Sequence, residues 1–97
     1  MKLTTEYIAL LRGYMQRNAD YYGITRMGIF GSVAHNEQTE NSDVDIYVEG
    51  ELRGFFVLSG IKCELEELLG CKVDIVRLRK QMDSFLRDRI LKEGIYV

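Results

Sequence analysis

From Asp43 to Glu49 the chain alternates: Val44, Ile46 and Val48 fall on one side, Asp43, Asp45, Tyr47 and Glu49 on the other. A period of two belongs to a β-strand, whose successive side chains point to opposite faces. One face of this strand is apolar, and the other carries two carboxylates two residues apart. Two like charges about 4 Å apart repel by roughly 1 kcal/mol in water, and by roughly 4 kcal/mol at an effective dielectric near 20. The loop before them, Glu37 to Ser42, holds only acidic or neutral groups, so no sequence neighbour offsets the pair. A hard divalent cation such as Mg2+ does so. It takes oxygen ligands and is commonly held by one or two carboxylates together with substrate phosphates.

Two other features converge on the same chemistry. Upstream, the apolar run Met27 to Phe30 ends in Gly31-Ser32. Glycine lets the backbone approach phosphate oxygens closely. Ser32 brings a hydroxyl and a main-chain N–H to the start of a helical turn, where anions are favoured. Downstream, Asp74 interrupts the apolar run Val73-Asp74-Ile75-Val76, and a lone buried acid is costly without a partner. If that strand lies beside the Asp43/Asp45 strand, Asp74 completes a three-carboxylate cluster. Such a cluster can hold two metals about 3.5–4 Å apart for in-line phosphoryl or nucleotidyl transfer.

The remaining segments frame these motifs. The chain has 97 residues and no proline, which suits one domain over 1–97 with a modest core. Tyr7, Leu11, Met15 and Ala19, widened by Ile8, Leu10 and Tyr14, predict a first helix capped by Thr4 or Thr5 and ended by Gly23. Ile24 to Phe30 reads as a strand, and Val33 to Asn36 as one helical turn. Phe55 to Leu69 reads as a helix with Leu58, Ile61, Leu65 and Leu68 inward. Cys71 to Leu78 reads as a third strand. Met82 to Lys92 reads as a last helix with Met82, Phe85, Leu86 and Ile90 on one face, and Ile95 to Val97 as a short terminal strand. The order α-β-(α)-β-α-β-α places the chain in the α/β (α+β) class, a small mixed sheet flanked by helices.

Gly31-Ser32-x-Ala34 followed by Ser42-Asp43-x-Asp45 resembles the signature of the minimal nucleotidyltransferases (MNT) of the DNA polymerase beta superfamily. The resemblance spans nearly the whole chain, from the leading helix to Asp74 and a closing helix. It implies that Gly31 and Ser32 hold nucleotide phosphates, and that Asp43, Asp45 and Asp74 ligate two Mg2+ ions. Asp74 would also activate the attacking hydroxyl. The implied reaction transfers a nucleoside monophosphate, AMP from ATP in the first instance, and releases pyrophosphate. MNT proteins are often the antitoxins of HEPN-domain ribonucleases, which in studied cases they adenylylate on tyrosine. The implied partner is therefore a HEPN protein, with a second copy of this chain also open. The family commonly carries arginine where this chain has His35, which bears less charge at neutral pH and makes no bidentate guanidinium contact.

Two alternatives stand beside this one: a binding module that silences its partner by occlusion, and an RNA-directed nucleotidyltransferase. The net charge of −2 counts against RNA. The basic run Arg77 to Lys92 reads first as a solvated helix face. No apolar run is long enough to cross a membrane. Cys63 and Cys71, in no metal-ligand spacing, read as small buried hydrophobes of a cytoplasmic protein with reduced thiols.

Overall fold

The computed structural model describes residues 2–54 and 56–97. Eight elements follow in order: α1 (Thr4–Tyr22), β1 (Ile24–Phe30), α2 (Gly31–Ala34), β2 (Val44–Gly50), α3 (Val57–Leu69), β3 (Val73–Arg77), α4 (Ser84–Glu93) and β4 (Ile95–Tyr96). The strands form one sheet in the order β3-β2-β1-β4. β1 pairs antiparallel with β2 and β4, whereas β2 and β3 run parallel across the α3 connection. This is the mixed sheet the element order predicts.

The alternation in β2 divides the sheet into two unequal faces. Val44, Ile46 and Val48 are fully buried with Tyr7, Leu11 and Tyr14 of α1 and Ile61, Leu65 and Leu69 of α3. Each such side chain contributes about 1.5–3 kcal/mol by leaving water. The opposite face carries a smaller cluster of Tyr47, Leu78 and Ile90, with Phe30, Val76, Met82 and Leu91 packed around it. Tyr47, on the carboxylate side of the strand, is therefore only 3% exposed. Its ring lies across Gly28, where an added Cβ would overlap it, and a Cβ on Gly94 would stand 2.9 Å from its Cε1. Glycine at position 28 leaves the space this aromatic occupies under α4.

The helix ends depart from the sequence expectation for identifiable reasons. Thr4 does not cap α1; its Oγ1 donates to the Val33 carbonyl at 2.6 Å and ties α1 to α2. Leu3 takes the N-cap position, its N–H donating to Glu6 Oε1 at 3.0 Å. In α3, Leu69 is fully buried where Leu68 was expected, and the predicted start at Phe55 lies outside the described residues. α4 begins two residues late because Asp83 caps it, accepting from the Phe85 N–H at 2.9 Å. Of its four expected inward residues only Ile90 is fully buried; Phe85 is 78% and Leu86 40% exposed. Cys63 is exposed on α3, against expectation, whereas Cys71 is half-buried and packs against the main core. Tyr14 and Tyr22 both donate to Glu64 Oε1, which joins α1 to α3. No helix of the described residues is long and apolar enough to cross a membrane.

Candidate active site

The acidic face of the sheet gathers at one end. In the β2–β3 ladder Asp45 stands opposite Asp74. The pairing is in register, so both side chains leave the sheet on the same side. Asp43 immediately precedes β2. Its approach is fixed by a turn in which Ser42 N–H donates to the Thr39 carbonyl at 3.0 Å and Thr39 N–H donates to Ser42 Oγ at 2.9 Å. The entry to β2 is then pinned to β3 by Val44 N–H donating to the Lys72 carbonyl at 3.0 Å.

Across the other ladder Phe30 stands opposite Asp45, which brings the Gly31 backbone against the carboxylate. Gly31 has φ 74°, in the left-handed region, and any Cβ there would fall on Asp45 Oδ2. Both constraints select glycine. Ser32 follows inside α2, half-buried, with its carbonyl accepting from Glu37 N–H at 2.8 Å.

The electrostatics follow from this crowding. Burial raises the Asp45 carboxyl above its ordinary value, and the charges of Asp74 and then Asp43 raise it further. None of the three forms an ion pair with another described residue. Among the described residues no three His, Cys, Asp or Glu side chains converge closely enough to hold one metal ion as they stand. The backbone register aligns the acids, but the carboxylates are not drawn together. The donor set is all oxygen, anionic and without a counter-charge, which fits a hard divalent cation.

A cavity of about 200 Å³ opens beside Asp45. Phe30, Gly31 and Asp45 line it together with Leu86, Arg89 and Glu93 of α4. The sequence carries no motif that places α4 at the site. The only signal was the Arg89–Glu93 spacing of four, which the structure shows as a 3.5 Å ion pair. His35 is exposed, with Nε2 3.6 Å from the same Glu93 carboxylate.

The sequence profile described as Polymerase beta, Nucleotidyltransferase matches residues 14–97. The chain belongs to the polymerase beta nucleotidyltransferase family. Its enzyme class follows: a nucleotidyltransferase. A Methanocaldococcus jannaschii protein, provisionally named a protein adenylyltransferase, is 47% identical over 77 residues, covering 78% of this chain and 82% of that one. The protein adenylyltransferase MntA of Thermococcus cleftensis is 33% identical over 97 residues, covering 98% and 97%. Among solved structures, one described as a minimal nucleotidyltransferase, also a provisional name, is 35% identical, with TM-score 0.77 over 93% of this chain and 92% of that one. A second is a complex described as a tri-AMPylated Shewanella oneidensis HEPN toxin with its MNT antitoxin. It matches at TM-score 0.60 and 20% identity, over 96% of this chain and 66% of that one, a likeness of fold.

Proposed function

We propose that this nucleotidyltransferase is a Mg2+-dependent protein adenylyltransferase that moves AMP from ATP to a hydroxyl of a partner protein, the partner being a HEPN-domain toxin. The observation that carries the reading is the register of Asp45 with Asp74 against the side-chain-free Gly31. The names of the relatives support a protein as acceptor. The HEPN partner is supported by the S. oneidensis complex through its shared fold.

In this reading Asp43, Asp45 and Asp74 hold the metal ions, and Gly31 and Ser32 receive phosphate oxygens. Bound there, Mg2+ would offset charge on the triphosphate and on the leaving pyrophosphate. The acceptor oxygen attacks the α-phosphorus, and the bond from that phosphorus to the oxygen bridging to the β-phosphate breaks. Pyrophosphate departs with the bond's electron pair. The hydroxyl proton passes to the carboxylate of Asp74, which is exposed and reachable by an incoming side chain. Incubating the chain with labelled ATP, Mg2+ and a HEPN-domain protein that it binds should label that protein. Equal labelling by an Asp43→Ala/Asp45→Ala variant would sink the assignment of these acids.

A second reading, silencing of the partner by occlusion, draws on His35, an exposed imidazole where a fixed positive charge would serve a triphosphate better. It gains if the double aspartate variant still protects cells from the partner.

A further inference from the structure

The cavity beside Asp45 has a second wall that the proposed chemistry leaves unused. Phe30, Gly31 and Asp45 line it from the sheet and α2, and α4 supplies Leu86, Arg89 and Glu93. Among the described residues Arg89 is the one basic residue lining it. Asp45 and Arg89 thus share a cavity without pairing; the described ion pair of Arg89 is with Glu93. An acid and a base held apart across a cavity leave room for a ligand bearing both a metal-binding and a guanidinium-binding group.

We infer that α4 is the nucleotide clamp of this enzyme: Arg89 takes the phosphate chain of a nucleoside triphosphate, and Phe30 and Leu86 take its nucleobase. This rests on the nucleotidyl-transfer reading and deepens it. The cation argument begins with Glu93. Its Oε2 lies 3.5 Å from Arg89 Nε and 3.6 Å from His35 Nε2. The Arg89 side chain is 66% exposed, and an exposed pair of this kind is weak. A triphosphate offers the guanidinium two parallel charge-assisted hydrogen bonds and more negative charge, so it displaces the pair. Without nucleotide the guanidinium rests against Glu93 instead.

The apolar argument begins with Leu86. It is 40% exposed on a helix whose only fully buried residue is Ile90, so core packing does not account for it. Phe30 lines the same cavity. The volume of about 200 Å³ suits a nucleobase rather than a whole nucleotide. The ribose and phosphates would therefore pass among Gly31, Asp45 and Arg89, which line the same cavity. The flat faces of a base bind well against an aromatic and an aliphatic side chain.

Calorimetric titration of the purified chain with Mg2+ and two probes, a non-hydrolysable ATP analogue and inorganic tripolyphosphate, tests this. Arg89→Ala should weaken both probes about tenfold or more, and Arg89→Lys should recover part of the loss. Leu86→Ala should weaken the ATP analogue and leave tripolyphosphate unchanged. In turnover, Arg89→Ala should raise KM for ATP by more than it lowers kcat. If Arg89→Ala binds both probes within twofold of wild type while Asp45→Asn loses them, the clamp is wrong and the acidic site stands. If Leu86→Ala weakens both probes equally, the base assignment is wrong. Wild-type chain that binds neither probe overturns the clamp and the nucleotidyl-transfer reading together. Arg89 and Leu86 are both exposed, and unchanged thermal unfolding in the variants confirms that folding is not what is measured.

Discussion

Asp45 and Asp74 face each other across a parallel ladder with their side chains on one side of the sheet, and no cation among the described residues pairs with either. A fold does not place two acids this way for stability. The cost is visible in Asp45, whose carboxyl is held above its ordinary value of 3.8 by burial and then by Asp74 and Asp43.

That shift makes a prediction about pH. The folded state holds the Asp45 proton more tightly than the unfolded chain, so stability falls as pH rises from 3.8 through the raised folded value. Above that window Asp45 is ionised in both states and the loss is complete. Asp45→Asn should remove this part of the fall and unfold at higher denaturant than wild type at neutral pH. A variant less stable than wild type at neutral pH would show that the carboxylate has a stabilising partner.

Gly31 is predicted to tolerate no side chain. Gly31→Ala pays about 1–2 kcal/mol for left-handed backbone and sets a methyl on Asp45 Oδ2. Transfer should drop by about a hundredfold or more, the scale of losing one well-placed electrostatic group, with a measurable fall in Tm. Activity within threefold of wild type would mean that Asp45 does not need its present position.

Gly28 tests whether the packing under α4 matters to the site. Gly28→Ala drives the Tyr47 ring from its place, at about 1–3 kcal/mol for overpacking. Since Tyr47 and Ile90 share the small cluster that seats α4, KM for ATP should rise along with the loss of stability. Destabilisation with an unchanged KM would separate α4 docking from nucleotide binding.

Glu64 should show itself in the tyrosine titration. The hydrogen bond to Glu64 is the first cause, ahead of burial, that pushes the Tyr22 phenol up to about 12. Tyr14 is raised by burial first and then by the same carboxylate. Ultraviolet titration of Glu64→Gln should bring Tyr22 back toward the ordinary phenol range, with a smaller drop for Tyr14. No change in either would place the carboxylate elsewhere in solution.

The parts legible in the sequence are those where one residue type answers one local demand. The alternation of β2 gave its two faces, Gly31 gave the turn, and an acid inside Val73–Val76 gave a third carboxylate for the same face. The illegible parts depend on contacts between distant segments. The alternation puts Tyr47 on the carboxylate side, and only the packing of Ile90 from α4 explains its burial. Phe85 and Leu86 read as core because helical spacing cannot say how much sheet remains for α4 to bury. Cys63 reads as buried from its residue type, yet its turn of α3 faces outward. Arg89 was hidden in a basic run whose ordinary meaning is a solvated face, and only the cavity shared with Asp45 singles it out.

The most direct measurement follows the two ends of ATP separately. Reactions with HEPN partner and Mg2+ are run in parallel with label in the α-phosphate and in the γ-phosphate, using wild type, Asp45→Asn and Asp74→Asn. The account predicts α-label on the partner, γ-label only in pyrophosphate, and loss of both signals in each variant by about a hundredfold or more. Label from the γ-phosphate on the partner, or α-label transferred equally by the variants, would contradict it.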